Sequence, residues 1–181
     1  MSAETLRVWT VGHSTRPLAE LVALLKAHGI AQLADVRSIP RSRKNPQFNA
    51  DTLPTVLAAA GIDYLHCPAL GGLRRPCKDS PNDGWRNESF RGFADYMQTA
   101  AFASALEELL ALARAKPTAM MCAEALPWRC HRSLIADALT VRGVDVLHIG
   151  GSSRAAPHCL TPFAQVDGLR LSYPFALTAK S

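Results

Sequence analysis

The feature that most constrains this chain is the regular alternation of short β-like runs with segments of helical periodicity. Apolar residues at helical spacing fill the gaps between the runs, including the long stretch Phe90–Ala115, which is predicted as one helix or two pieces. Strands that alternate with helices form β-α-β units and a parallel sheet. The sequence therefore predicts an α/β single domain with a mostly parallel five-stranded sheet and helices on both faces. The five predicted strands are Arg7–Val11, Gln32–Val36, Ile62–His66, Thr118–Cys122 and Val144–Ile149.

The size and composition fit one domain. The chain has 181 residues, of which 48% are hydrophobic, enough for a buried core without disulfides. We assign residues 1–150 to the α/β domain and residues 151–181 to a C-terminal tail that packs on it. No apolar run reaches the roughly 18 residues that span a membrane, and residues 1–7 lack a secretory signal. With an odd count of five cysteines, the expectation is a cytoplasmic protein with reduced thiols.

Polar residues that directly follow the predicted strands define a candidate site. In sheets of this kind, ligands bind beyond the carboxyl ends of the strands. Residues at these positions come from separate strands and are expected to meet at one rim. They are His13 and Ser14 after the first strand, Asp35, Arg37 and Arg41 at the end of the second and beyond it, and Glu124, Cys130, His131 and Arg132 after the fourth.

The densest part of this set is the segment from Cys122 to Arg132. Cys130 is predicted at the start of a helix spanning Cys130–Arg142, where free backbone N–H groups and the helix dipole favour an anion and a thiolate. Arg132 is suited to hold a phosphate or carboxylate through two parallel hydrogen bonds, and Glu124 is suited to act as a general base. The expected catalytic residues are His13, Asp35, Glu124, Cys130 and His131, and the expected substrate-binding residues are Ser14, Arg37, Arg41 and Arg132.

Several of these residues also have a purely structural interpretation. Cys122 ends an apolar run and is interpreted as a buried structural thiol rather than a nucleophile. Asp35 and Arg37 lie two residues apart and could form a structural ion pair. The spacing of Cys122, Cys130 and His131 does not match the usual zinc pairings. No metal site is predicted, and the absence of GxGxxG, GxxxxGK[ST] and GxSxG motifs leaves the cofactor unknown.

Six short motifs occur along the chain in a distinctive order. They are Gly12-His13-Ser14, Asp35-Val36-Arg37 with Pro40 and Ser42, Phe48-Asn49, Leu70-Gly71-Gly72, the run Phe90–Met97, and Cys122-Ala123-Glu124 with Cys130-His131-Arg132. Together they extend from about Val11 to about Ile149 and resemble the family catalogued as domain of unknown function 488. The resemblance implies a bacterial or archaeal α/β domain with these segments near one rim. It implies no particular reaction.

Three functions fit these residues and a net charge of +5. The favoured one is an enzyme, a hydrolase or a transferase, that acts on a phosphate-bearing or nucleotide- or nucleobase-like anionic substrate, because acid, base and cationic groups cluster. The second is a nucleic-acid-binding or -processing protein that uses the basic loop Arg37–Lys44 with Arg74 and Arg75, and Phe48 or Trp85 for base stacking. The third is a ligand-binding module without turnover. No membrane partner is expected, and the oligomeric state stays open.

Overall fold

The computed structural model describes residues 3–151 and 153–175. Its main sheet contains strands β1 (Arg7–Gly12), β2 (Gln32–Asp35), β3 (Asp63–His66), β4 (Thr118–Cys122), β5 (Asp145–Ile149) and β6 (Ala156–Pro157). The strand order is β3-β2-β4-β1-β5-β6. The first five strands are parallel, whereas β6 runs antiparallel to β5. The predicted α/β class with a mostly parallel sheet is confirmed, and the tail adds a short sixth strand whose position the sequence did not indicate.

Five α-helices connect the parallel strands. The predicted helical stretch Phe90–Ala115 forms two helices, and each begins at a side-chain cap. The Asn87 side chain accepts hydrogen bonds from two backbone N–H groups at the start of one helix, and Thr99 caps the next. The last helix begins at Arg132, two residues later than predicted. The helices are α1 (Leu18–Ala27), α2 (Leu53–Ala59), α3 (Glu88–Tyr96), α4 (Ala100–Ala115) and α5 (Arg132–Thr140).

The helices cover both faces of the sheet, as predicted. One face packs against α1 and α2 through leucines such as Leu21 and Leu57. The other packs against α3, α4 and α5 through Phe93, Leu106 and Leu134, all fully buried. Every residue of β4 is buried, because this strand lies in the middle of the sheet with helices on both sides. Burial of each such large side chain contributes about 1.5–3 kcal/mol.

The order of the strands opens a crevice between the carboxyl ends of β1 and β4. These two strands are neighbours in the sheet. After β1 the chain passes through α1 to β2, whereas after β4 it passes through α5 to β5. Because α1 and α5 lie on opposite faces, the loops that follow β1 and β4 diverge. Such a divergence is the usual place for a ligand site in an open α/β sheet.

The described part of the C-terminal tail contacts the body of the domain. After β6 it forms a ribbon of two antiparallel strands, β7 (Gln165–Asp167) and β8 (Arg170–Ser172). Tyr173 is fully buried, and its hydroxyl donates a hydrogen bond to Asp137 of α5 at 2.8 Å. Within residues 3–151 and 153–175, no helix is long and apolar enough to cross a membrane.

Candidate active site

A cavity of about 680 Å³ occupies the crevice at the rim of the sheet. Its size is typical of sites for small molecules. Asp35 and Arg132 do not line it, because both side chains are buried beneath its surface. The loops after the strands bring together seven of the nine residues expected at the site. They are His13, Ser14, Arg37, Arg41, Glu124, Cys130 and His131. Their roles stay predictions.

The Arg132 side chain makes only internal contacts beneath the surface of the cavity. Its guanidinium donates from Nη1 to the Cys122 sulfur at 2.6 Å and to the Glu124 carbonyl oxygen. From Nη2 it donates to the Ala125 carbonyl at 2.9 Å. The side chain is 1% exposed, so its donors do not reach the cavity. Contrary to the expectation from the sequence, the structure therefore does not place Arg132 where it could contact a substrate directly. Arg132 instead fixes the loop after β4 and the Cys122 sulfur.

The two buried cysteines at the site differ in acidity. Burial opposes ionisation of Cys122, but a hydrogen bond from Cys130 and the charge of Arg132 outweigh it and lower the pKa of Cys122 to about 7. The same hydrogen bond, together with burial, raises the pKa of Cys130 well above that of an ordinary thiol. The thiolate expected at Cys130 thus belongs to Cys122. Cys130 lies two residues before α5, and its raised pKa keeps it protonated at neutral pH.

Two histidines of the site are neutral acceptors at neutral pH. Burial lowers the pKa of His131 to about 4, and its Nε2 donates to the Val36 carbonyl at 3.0 Å. Its Nδ1 is then an acceptor, 3.6 Å from the Cys130 sulfur. Burial also lowers the pKa of His13, whose Nδ1 donates to the Ser14 carbonyl at 2.8 Å. Neither ring therefore carries a spare proton for general acid catalysis at neutral pH.

Asp35 holds Arg37 in place instead of facing the cavity. The Asp35 carboxylate is fully buried and accepts hydrogen bonds from Nε and Nη2 of Arg37 at 2.8 and 2.7 Å, and from the Tyr64 hydroxyl. Arg37 also donates to the Phe48 carbonyl at 2.7 Å. Asp35 and Arg37 thus form the structural ion pair that their spacing suggested. Asp35 is buried away from the cavity, so its carboxylate does not reach a bound substrate. Its negative charge instead holds the Arg37 guanidinium in place.

A polarised hydrogen-bond chain behind Arg132 was not foreseen from the sequence. The Arg132 Nε donates to Thr10 Oγ1 at 3.2 Å, and Thr10 contacts Nδ1 of His148 at 2.6 Å. His148 then contacts His158 at 2.8 Å, and His158 contacts the Asp137 carboxylate at 2.7 Å. Because a carboxylate only accepts, every donor in the chain points toward Asp137. The chain therefore holds Arg132 in one orientation.

The loop after β1 packs directly against the loop after β4. Backbone N–H groups of His13 and Ser14 donate to the carbonyls of Cys122 and Ala123 at 2.9 and 3.0 Å. Ser14 has a φ of +49°, the only positive φ of a non-glycine residue among the residues that the structure describes. Such a conformation costs about 1–2 kcal/mol and is concentrated at functional sites. The strained residue therefore marks this loop as part of the site.

Comparison with known proteins identifies the family. The family described as Domain of unknown function DUF488 matches residues 17–139, which is more than half of the chain. The chain belongs to the DUF488 family. The resemblance of its motifs to that family is thereby confirmed. No curated protein and no solved structure matches this DUF488 chain.

The basic surface of the DUF488 chain is smaller than expected from the sequence. The Arg74 guanidinium stacks on the Tyr96 ring, with its central carbon 3.6 Å from the ring centroid. Phe48 is fully buried, and Trp85 packs among three aromatic rings. Phe48 therefore has no exposed face for base stacking, whereas the use of the half-buried Trp85 stays a prediction. The predicted cations that stay exposed are Arg41, Arg43 and Lys44 on the loop after β2, and Arg75.

The donor atoms at the site do not form a metal-binding group. Among residues 3–151 and 153–175, no group of three or more His, Cys, Asp or Glu side chains is placed to hold a metal ion. The groups that act on the Cys122 sulfur are the Arg132 guanidinium and the Cys130 thiol.

Substitution of Gly12 by alanine should destabilise the junction of the two loops. A Cβ atom at Gly12 would lie 1.9 Å from the Glu124 carbonyl oxygen, so the loop after β4 must move. We expect a loss of about 3 kcal/mol in the free energy of unfolding, measured by urea denaturation. Gly150→Ala is the matched control, because a Cβ there meets nothing within 4 Å. Equal losses in the two variants would contradict the close approach.

The neutral histidines predict how stability depends on pH. The pKa values of His131 and His148 are about 4 in the folded chain because burial disfavours the charged ring, whereas the ordinary value is 6.5. The unfolded chain therefore takes up protons first as the pH falls. We expect the free energy of unfolding to decrease as the pH is lowered from 6.5 toward 4. In His131→Gln this decrease in the free energy of unfolding should be smaller. An unchanged dependence of that free energy on pH would show that His131 does not contribute to it.

Proposed function

We propose that this DUF488 chain is an enzyme, a hydrolase or transferase, that acts on an anionic, phosphate-bearing small molecule of nucleotide size. One observation carries the proposal. The Cys122 thiol, with a pKa of about 7, lines a cavity whose lining residues include three arginines and one carboxylate. A nucleophile and an anion-binding surface thus share one site.

The walls of the cavity suit an anion. Arg41 and Arg129 are exposed residues that line its mouth, while Arg37 lines it from the inside, with Nη1 3.4 Å from His13. Glu124 is the acidic residue of the lining. The excess of cationic groups favours a phosphate, which guanidinium groups bind through paired hydrogen bonds. The volume of about 680 Å³ leaves room for a nucleoside beside the phosphate.

The proposed chemistry is nucleophilic substitution in two steps. The Cys122 sulfur attacks an electrophilic atom of the substrate, and the leaving group departs with the bonding electrons and takes a proton from solvent. Glu124 then accepts a proton from a water molecule, whose oxygen displaces the sulfur and restores the thiolate. In a transferase, another acceptor replaces this water. Arg132 and Cys130 stabilise the thiolate before and after the reaction.

A ligand panel followed by a turnover assay tests this proposal. Nucleotides, sugar phosphates and inorganic phosphate are expected to raise the Tm of the wild type by several degrees at saturation. Arg129→Gln should reduce the shift, whereas the matched control Arg114→Gln, exposed on α4, should not. Cys122→Ser should bind the same ligand without forming product. Equal shifts in both arginine variants, or turnover by Cys122→Ser, would contradict the proposal.

A nucleic-acid partner is the second candidate. It is favoured by the exposed Arg41, Arg43 and Lys44 on the loop that borders the cavity. Binding of an oligonucleotide that weakens steeply with salt would support it, because neutralised phosphates release counterions. Tight binding of a small phosphate compound without product would instead favour a ligand-binding module.

We also propose a cytoplasmic location for this activity. The five cysteines are free thiols in the structure, and the proposed nucleophile is one of them. A reducing compartment keeps such a thiol from being oxidised to a disulfide. Oxidised Cys122 in protein whose thiols are blocked at the moment of cell lysis would oppose this location.

A further inference from the structure

We infer that Cys122 and Cys130 form a reversible disulfide when the protein meets hydrogen peroxide. Both cysteines line the same cavity, and both sulfurs contact the same residue, Arg132. The inference shares Cys122 with the proposed function but does not depend on any substrate of that function. It assigns a site of oxidative modification to the floor of the cavity.

The geometry brings the two thiols together before any oxidation. Arg132 donates to the Cys122 sulfur from Nη1 at 2.6 Å and to the Cys130 sulfur from its backbone N–H at 3.5 Å. The Cys130 thiol also lowers the pKa of Cys122, and Cys122 raises that of Cys130, so the two side chains interact. A disulfide forms without backbone strain only where the fold already juxtaposes the two side chains. The fold brings the two cysteines to one cavity and to one shared neighbour, Arg132, although seven residues separate them in the sequence.

The two thiols have complementary reactivity. The Cys122 thiolate attacks one oxygen of hydrogen peroxide, the O–O bond breaks, and a sulfenic acid forms while the departing hydroxide takes a proton to become water. The Cys130 sulfur then attacks the sulfenic sulfur and gives its proton to His131 Nδ1, which lies 3.6 Å away. The S–O bond breaks, the S–S bond forms, and the released hydroxide takes that proton as a second water. Two thiols are oxidised and one peroxide is reduced.

The same contacts predict that the disulfide is easily reduced. In the reduced protein, the thiolate of Cys122 pairs with the buried charge of Arg132. Oxidation removes this charge pair and leaves Arg132 without its anionic partner. Stabilisation of the reduced form makes a disulfide more oxidising and therefore readily reversed by small thiols.

The other cysteines serve as internal controls. Burial raises the pKa of Cys67 to about 11, so this thiol should react slowly with peroxide. Cys77 and Cys159 are exposed but do not line this cavity. We therefore expect oxidation to begin at Cys122 and to end at the Cys122–Cys130 bond.

The experiment treats the full chain with hydrogen peroxide and maps its thiols by mass spectrometry. Trypsin cleaves after Arg129, between the two cysteines, so the disulfide joins two peptides that separate on reduction. We expect this linked pair in the wild type and its disappearance after dithiothreitol. Cys130→Ser should instead accumulate a sulfenic acid at Cys122 that dimedone traps, and Cys130→Ala provides a second variant if folding is impaired.

Two results would overturn the inference. One is that Cys122 and Cys130 both stay free to alkylating reagents after peroxide treatment, and the other is that Cys122 pairs with a different cysteine. Neither result affects the proposed function, because turnover is measured separately in reduced protein. A linked pair in a protein without turnover would conversely support the disulfide and leave the proposed function unsupported.

Discussion

Replacement of Arg132 by methionine is expected to move the midpoint of the pH–rate profile of Cys122 alkylation from about 7 to about 9 or higher, the range of an ordinary thiol. The guanidinium donates to the sulfur at 2.6 Å and supplies the positive charge that favours ionisation. Methionine retains the bulk of the side chain but not its charge, so burial would act unopposed and raise the pKa. Iodoacetamide labelling of each cysteine across a pH series, read by mass spectrometry, measures the change.

Three further variants distinguish the effect of the Arg132 charge on the pKa of Cys122 from a disturbance of the fold. Arg132→Lys retains the positive charge, so the midpoint should stay closer to 7 than in Arg132→Met. Arg142→Met removes a cation beyond the other end of α5 and should leave the midpoint unchanged. Arg132→Met also leaves loop carbonyls unpaired, which could prevent folding. In that case Cys130→Ala removes the other stabilising contact of the thiolate and should raise the midpoint. An unchanged midpoint at Cys122 would show that these contacts do not set its acidity.

Replacement of Asp35 by asparagine is expected to lower the free energy of unfolding by about 3–5 kcal/mol. Asparagine has the shape of aspartate but leaves the charge of Arg37 buried and unpaired, since Arg37 is only 7% exposed. Asp35 accepts hydrogen bonds from the Arg37 guanidinium and the Tyr64 hydroxyl. The NH2 group of asparagine is itself a donor and would face these donors without an acceptor between them. Urea denaturation of the single variant measures this loss.

A double variant and a surface pair provide the controls. Asp35→Asn with Arg37→Met removes both charges and should recover part of the lost stability, because no charge stays buried without a partner. The exposed pair Arg7–Asp145, 2.8 Å apart, should contribute less than about 1 kcal/mol, so Asp145→Asn is expected to be nearly neutral. A loss in Asp35→Asn no greater than that in Asp145→Asn would contradict the buried ion pair.

Much of the fold could be predicted because its signals are local. The apolar run Thr118–Cys122 marks a fully buried central strand, and apolar residues at helical spacing mark the helices on both faces. The two residues of strand β6, Ala156 and Pro157, carry no such signal. This strand pairs only with β5 and forms one edge of the sheet. Its place depends on tertiary contacts of the tail rather than on its own residues.

The location of the candidate site could be predicted from the sequence, but the contacts and ionisation states of its individual residues could not. Parallel strands bring the residues that follow them to one edge, so His13, Arg37 and Glu124 could be assigned to one rim from topology alone. Which cysteine ionises depends on where the Arg132 side chain points, and spacing along the chain does not reveal that. The contact of Thr10 with His148 spans 138 residues, so no local pattern could indicate the chain of hydrogen bonds behind Arg132.

The central claim is that an ionised thiol and an anion-binding surface share the rim cavity. The most direct test is the rate at which iodoacetamide alkylates Cys122 at neutral pH with and without saturating inorganic pyrophosphate. Pyrophosphate on Arg41 and Arg129 would cover the path to the sulfur, so we predict at least about a tenfold slower reaction at Cys122. The exposed Cys159 should react at the same rate in both samples. An unchanged rate at Cys122 would contradict the claim, because the thiol and the anion would then not share one cavity.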